Sequence, residues 1–167
     1  FAFGRATGTE QWRAESFGPE AIVATEYRLV TVRRDGLHLY NHSGAIRGQS
    51  SATIPPAATA DVLYVGDGTV SPIPLVEGGP DWVHWLDKTT GGQPEVAGGI
   101  SLGETTLCVP YTNVSGEDPE TTLLGLSTDS GEQQWERALP DGLPTVPVLA
   151  DGGIFVGTDS GTLLALD

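Results

Sequence analysis

IFVGTDSGTLLALD, residues 154–167, is the stretch that decides the fold. It holds two short apolar runs joined by a turn sequence, Asp159-Ser160-Gly161, which is typical of a tight β-hairpin. Residues 1–13, FAFGRATGTEQWR, have the pattern that follows such a hairpin elsewhere in the chain. We therefore predict a repeated β-sheet unit in which one copy is divided between the two ends of the chain. The N-terminal strand would then close the last unit.

Four strand types recur along the chain. Strands of the first type start at residues 29, 63, 107 and 154, about 42 residues apart on average, which is within the range for one propeller blade. Their nearly continuous apolar sequences are typical of strands that are covered on both faces. Strands of the second type follow at residues 37–41, 83–87, 123–127 and 163–167.

The links between these two strand types differ in length. Asp35-Gly36 and Ser160-Gly161 are tight-hairpin sequences. The two middle units have longer insertions, residues 67–81 and 113–120, which we predict to be surface loops on one face, often the binding face of a repeat protein.

The remaining two strand types complete each unit. An outer strand carries Trp12 or Trp135, each four residues after a turn glycine, and the equivalent places in the other units are Gly48 and Glu95. The strands that open the units are predicted at residues 21–25, 53–59, 97–102 and 145–150.

The repeat predicts an all-β propeller of four four-stranded blades in a single domain, residues 1–167. The predicted blades are residues 19–50, 53–97, 98–138, and 145–167 together with 1–15. A ring of blades leaves only short, protected strand edges. Half of an eight-bladed ring is the alternative, since an open set of four blades would expose two apolar faces. The chain contains no Met, so we expect a processed protein or an excised fragment.

The chain is strongly acidic, with 22 Asp and Glu against 8 Lys and Arg and a net charge of −14. Self-repulsion of this size destabilises a compact state, but at molar salt the Debye length is roughly 3 Å and the repulsion largely disappears. The composition is therefore typical of a salt-adapted, haloarchaeal-type protein. A basic partner or cations on an acidic face are the alternative. Nucleic acid and anionic membranes are disfavoured, because their recognition needs basic residues.

Few residues of the chain are of the types that commonly form catalytic or metal-binding sites. Cys108, the single cysteine, lies in an apolar run and is predicted to be a buried core residue. His38 and His84 occupy equivalent places in the predicted repeat, so a shared metal is conceivable, but polar positions satisfied by neighbours are the favoured interpretation. The Asp-rich turns lack the spacing of a calcium loop. No catalytic, cofactor-binding or metal-ligating residue is assigned.

Both asparagines of the chain begin glycosylation sequons, Asn41-His42-Ser43 and Asn113-Val114-Ser115. Both sequons fall in predicted loops, where attachment of a glycan is sterically possible. This favours a cell-surface or secreted protein.

The repeat resembles a known family. The pattern is Leu-x-Ala-Leu-Asp, a turn ending in Thr-Gly or Ser-Gly, two or three residues, then Trp, and it is similar to the quinoprotein-type (PQQ-like) β-propeller repeat. Its best copies are residues 124–135 and 163–167, followed by residues 1–12. The resemblance is weak between residues 50 and 99.

The resemblance implies two possible functions. Enzymes of the family have eight blades, a pyrroloquinoline quinone on the ring axis, calcium, a vicinal cysteine pair and a catalytic aspartate. One cysteine and four predicted blades do not match that pattern. The non-enzymatic branch, which includes an outer-membrane assembly lipoprotein, consists of WD40-like scaffolds that present loops to other proteins. We therefore predict a non-catalytic scaffold or binding module without a cofactor, which binds a protein partner or associates with itself. A fragment of a quinone-dependent dehydrogenase-like propeller is the alternative.

Overall fold

The computed structural model describes residues 2–13, 20–86, 93–114, 120–140 and 142–166. These residues form β-strands and turns, and no helix among them has the length and apolar character needed to cross a bilayer. The chain falls into two compact units, residues 1–53 and 54–167. The single domain that we expected over residues 1–167 stays a prediction.

The first unit contains a hairpin and a four-stranded antiparallel sheet. The strands of the hairpin are β1 and β2, and the sheet has the order β3-β4-β5-β6. The bounds are β1 Ala2–Phe3, β2 Glu10–Trp12, β3 Ala21–Ala24, β4 Leu29–Arg33, β5 Gly36–Tyr40 and β6 Ile46–Ser50.

The second unit contains three sheets. Their orders are β7-β8-β9-β10, then β13-β14-β15 with β11 and β12 both paired to β13, then β16-β17-β18. The bounds are β7 Ala57–Ala58, β8 Val62–Gly66, β9 Thr69–Pro74, β10 His84–Trp85, β11 Gln93–Val96, β12 Ser101–Leu102, β13 Thr106–Val114, β14 Glu120–Ser127, β15 Gln133–Ala138, β16 Val148–Ala150, β17 Gly153–Gly157 and β18 Leu163–Leu166.

The antiparallel sheets of consecutive strands confirm the all-β propeller architecture. Two apolar clusters form the core of the second unit. One lies between the β7–β10 sheet and the β11–β15 sheet, with Val70, Leu107 and Leu126 fully buried in it. The other lies between the β11–β15 sheet and the β16–β18 sheet, around Cys108 and Val156.

The predicted loop at residues 67–81 contains strand β9, Thr69–Pro74, and the strand that follows it, β10, is therefore the outer strand of this sheet. Asp67 N–H donates to Thr69 O over 2.9 Å in a tight turn, so β9 follows β8 directly. Leu75 N–H donates to Asp61 O on the β8 side (2.7 Å), so the nitrogens of Pro72 and Pro74 face away from β8. Proline is tolerated in such a strand because its missing N–H is not needed for the ladder.

Two boundaries in the middle of the chain also differ from prediction. Residues 93–96 were expected in the second blade, but β11 pairs with β13 in the third sheet. The predicted loop at residues 113–120 is shorter, because β13 continues to Val114 and β14 begins at Glu120. The intervening residues 115–119 lie outside the described part of the chain.

The N-terminal strand was predicted to close the last sheet, and this closure stays a prediction. Within the described residues the last sheet has three strands, and β2 pairs with β1 in a two-stranded sheet. A sharp turn joins these two strands, in which Gly4 N–H donates to Thr9 O (2.8 Å) and Gly8 N–H to Gly4 O (2.7 Å). The number of complete blades is therefore not confirmed.

Two tryptophan rings pack on turn glycines of a following sheet. A Cβ atom added to Gly44 would lie 2.7 Å from Trp12 Cε3, and one added to Gly131 would lie 2.4 Å from Trp82 Cε3. Both glycines have positive φ, 80° and 70°, so the turn geometry and the close ring contact require the same residue. The sequence analysis had placed Trp12 in an outer strand, but it did not single out Trp82.

The Gly131→Ala variant tests this contact. Its methyl group would displace the Trp82 ring, so we expect it to lower the free energy of unfolding by about 2 kcal/mol more than Gly161→Ala does. Gly161 is the matched control because it has φ 89° but no heavy atom within 4 Å of an added Cβ. Denaturant unfolding of both variants measures the difference. Equal losses would show that the Trp82 contact contributes little.

Candidate functional site

The outer edge of the last sheet differs from the corresponding edge of the other sheets. The third strand of each earlier sheet has an outer neighbour: β6 beside β5, β10 beside β9 and β15 beside β14. Among the described strands of the second unit, β18 is the edge strand of the last sheet, and no ladder is formed there on its outer side. We call this strand, Leu163–Leu166, the open edge.

One face of the same sheet is apolar and exposed. Val148 is 58% exposed, Phe155 39% and Leu163 77%. Val148 pairs with Phe155, and Phe155 with Ala165, so these side chains share one face. Leu123, which has the place of Leu163 in the third sheet, is 0% exposed. We call Val148, Phe155, Leu163 and Ala165 the open face.

The opposite face of the last sheet borders a groove of about 1190 Å³. Its apolar lining includes Leu102, Leu149 and Leu166, and Trp135 lies at its other wall. Charged residues at the groove are three acids and one base, namely Glu104, Glu136, Asp151 and Arg137. A strand added to the open edge would direct alternate side chains onto the open face and into this groove.

Where an outer strand pairs with the strand beside it, the two facing residues have side chains of opposite size, one large and one small. Where the outer residue is large the inner one is small: Trp135 lies opposite Gly125, and Trp12 opposite Ala2. The first full sheet reverses the sizes, with Leu39 opposite Gly48. All three pairs border a register irregularity.

Ala165 has the equivalent place in the last sheet. Phe155 pairs with Ala165 as Cys108 pairs with Gly125. Because the inner residue is small, the register predicts a large outer residue at the open edge.

The histidines do not occupy equivalent places, which corrects the sequence prediction. His38 lies in the third strand of its sheet and His84 in the fourth. His38 Nδ1 accepts from the Arg33 guanidinium and the Gln49 amide, each at 3.4 Å. Among the residues the structure describes, no group of three His, Cys, Asp or Glu side chains could hold a metal ion.

The Asp-rich turns have structural contacts. Asp159 Oδ1 accepts from Leu143 N–H over 2.7 Å, which fixes the chain before β16. Asp67 is exposed in the tight turn between β8 and β9. Turn formation is the ordinary role of aspartate at such positions.

The two sequons have different environments. Asn41 Oδ1 accepts from Ser43 N–H (3.1 Å), Ser43 Oγ (2.9 Å) and Ala45 N–H (2.9 Å), so this sequon lies in a surface turn as predicted. Asn113 lies inside β13 and is only 7% exposed. The predicted loop at the second sequon is therefore wrong, and the folded chain shields Asn113 from glycan attachment. The cell-surface location stays a prediction.

Comparison with known proteins identifies the family. A family model described as outer membrane protein assembly factor BamB matches residues 1–167. The chain belongs to this family. No curated protein matches it significantly.

Three solved structures resemble this BamB-family chain. Quinohemoprotein alcohol dehydrogenase ADHIIG from Pseudomonas putida HK5 is 12% identical with a TM-score of 0.59, covering 78% of this chain and 22% of that one. The enzyme from Comamonas testosteroni is 13% identical with a TM-score of 0.60, covering 75% and 22%. The computationally designed Ika4 protein is 11% identical with a TM-score of 0.67, covering 95% and 98%.

At these identities the likeness shows the fold alone. The chain spans about a fifth of the length of the two dehydrogenases. The resemblance to PQQ-type propellers is confirmed, and the activity of those enzymes does not transfer to the chain.

This BamB-family chain has no vicinal cysteine pair of the kind that PQQ-type enzymes have. Cys108 is fully buried in β13, and as the single cysteine it has no thiol to pair with. The described residues also lack a cluster of carboxylates for calcium.

The buried thiol gives a test of the core. Burial raises the pKa of Cys108 from its ordinary 9.0 to about 12. The folded pKa lies above the unfolded one, so this stabilisation is complete below about pH 9 and is lost as pH rises toward 12. We expect no reaction with a thiol reagent at pH 8 in the native protein and full reaction in denaturant.

Alkaline unfolding of Cys108→Val completes that test. Without the thiol, the variant should lose less stability than the native sequence between pH 9 and pH 12. Rapid native labelling, or parallel loss of stability in both proteins, would contradict a buried neutral thiol.

Proposed function

We propose that this chain is a non-catalytic protein-interaction scaffold that binds an extended polypeptide segment along the open edge. The observation that supports it is β18, an edge strand with an exposed apolar face on one side and a groove on the other. Addition of a strand to such an edge satisfies its backbone groups, while pockets for alternate side chains give specificity.

The chemistry of the bound segment follows from the neighbouring sheets. A residue opposite Ala165 should be large, by the register of Trp135 over Gly125. A tryptophan there would cover Phe155 and Leu163, which removes exposed apolar area worth about 25 cal/mol per Å². The acids at the groove favour a basic neighbour. Residues 10–13, Glu-Gln-Trp-Arg, have this pattern, so another copy of the chain is one source of such a segment.

A peptide with the sequence of residues 5–13 tests the proposal. We expect the anisotropy of the fluorescently labelled peptide to rise when it binds the chain. The peptide in which Trp12 is replaced by Ala should bind at least tenfold more weakly. Light scattering on the same samples reports whether copies of the chain occupy the edge themselves.

The variant Ala165→Trp places an indole where the partner's ring would lie, so it should abolish peptide binding or self-association. Ala60→Trp, at an exposed turn, is the matched control and should change neither. A chain that is monomeric in solution and does not bind the peptide would overturn the proposal.

The dehydrogenase alternative draws support from the two similar alcohol dehydrogenases. We expect that adding pyrroloquinoline quinone and calcium gives neither binding nor alcohol-dependent dye reduction. Isothermal titration and a dye assay measure the two outcomes. Saturable quinone binding with turnover would favour the alternative.

A further inference from the structure

A second, smaller cavity lies in the unit formed by residues 54–167. Its volume is about 340 Å³, and its apolar lining is Leu86 and Leu124. The polar and aromatic lining comes from three different strands, β10, β13 and β15: His84, Trp85, Tyr111, Gln133 and Glu136. The size is adequate for a planar charged group with a short alkyl chain.

Glu136 is held in position from two sides. Tyr111 O–H donates to its Oε1 over 3.2 Å, and Gln133 Nε2 donates to its Oε2 over 3.1 Å. Each carboxylate oxygen keeps a further lone pair. Ion pairs within the described ranges form at Glu10, Glu20 and Asp35, not at Glu136. The cavity therefore presents an oriented anionic acceptor.

His84 is fixed at the cavity by a hydrogen bond. Its Nδ1 lies 3.0 Å from Gly131 O, and because a carbonyl oxygen only accepts, Nδ1 carries a proton. The turn that contains Gly131 therefore holds the imidazole ring in place at the cavity.

Trp85 supplies an aromatic face. Its side chain is 69% exposed, an unusual state for an indole, although it borders the cavity. Arg guanidinium groups stack on such faces at separations below about 6 Å, more often than ammonium groups do. The overall charge of −14 raises the local concentration of cations.

We propose that this cavity binds an alkylguanidinium group, stacked on Trp85 and paired with Glu136. A guanidinium offers five N–H donors in one plane, which matches a carboxylate whose two oxygens are held in a fixed orientation, as those of Glu136 are. An arginine side chain of a protein and a free guanidinium metabolite share this chemistry. The site shares Glu136 with the groove beside the open edge, but its other lining residues differ from those of the groove, and it needs no strand at the open edge.

Titration calorimetry with ethylguanidinium at 0.15 M salt tests the site. Glu136→Gln keeps the shape and the Tyr111 contact but removes the charge, and it should weaken binding about tenfold. Trp85→Ala should weaken it about threefold to fivefold, the size of one exposed cation–π contact. Unchanged denaturant midpoints would show that both variants remain folded.

Matched controls separate the site from general attraction to an acidic protein. Glu132→Gln removes the same charge from the exposed turn before β15, outside the cavity, and should change the dissociation constant less than twofold. Ethylurea, the neutral isostere, should not bind measurably. Equal losses in Glu132→Gln and Glu136→Gln, or equal binding of ethylurea, would overturn the proposal.

A last comparison distinguishes the two sources of the ligand. Tighter binding of an arginine-containing pentapeptide than of N-acetylarginine amide would identify a protein side chain as the ligand. Equal affinity would identify a free small molecule. Failure of both to compete with ethylguanidinium would contradict the site.

Discussion

The packing of an indole ring on a turn glycine is the contact that joins neighbouring sheets within each of the two units. Trp12 lies on Gly44 and Trp82 on Gly131, in each case joining one strand set to the turn of the next sheet. Trp82 Nε1 also donates to Thr128 O over 3.1 Å, and its ring stacks with Tyr64 at a centroid distance of 6.1 Å. The Trp82 contact combines the packing of a large ring with a directional hydrogen bond, so it fixes both the distance between the two sheets and their lateral position.

The same logic of small beside large operates within the sheets. Glycine at position 125 lets the Trp135 ring lie flat on its own sheet, with Cε2 only 2.1 Å from where a Cβ would be. Leu39 takes up the space in the first full sheet because its partner Gly48 has no side chain. A repeat without the tryptophan therefore leaves no void if the residue opposite it has a larger side chain. This exchange explains why the outer strands differ so much in sequence.

Much of the fold could be predicted from sequence because apolar strands and tight turns are local signals. The tight turns at Asp35-Gly36 and Ser160-Gly161 and the apolar strands around Leu63 and Leu107 all lie where their sequences indicated. Errors arose where a non-local condition decided the outcome. The prolines of β9 suggested a loop, yet they are tolerated because their nitrogens face away from β8. Asn113 has a loop-like sequon, yet strand pairing with Glu120 buries it.

The candidate sites were less predictable than the fold, since they are assembled from residues that no motif connects. Trp85 and Glu136 are 51 positions apart, and they line one cavity only because β10 and β15 belong to adjoining sheets. Exposure also had no sequence signal, because Leu123 and Leu163 have the same residue type and repeat position but opposite burial. What differs within residues 54–167 is the neighbourhood: the third sheet has an outer strand and a following sheet, and the described part of this unit provides neither for the last sheet. In this chain the candidate surfaces therefore lie where the described repeat is interrupted, while the side chains at the regular positions are buried by packing.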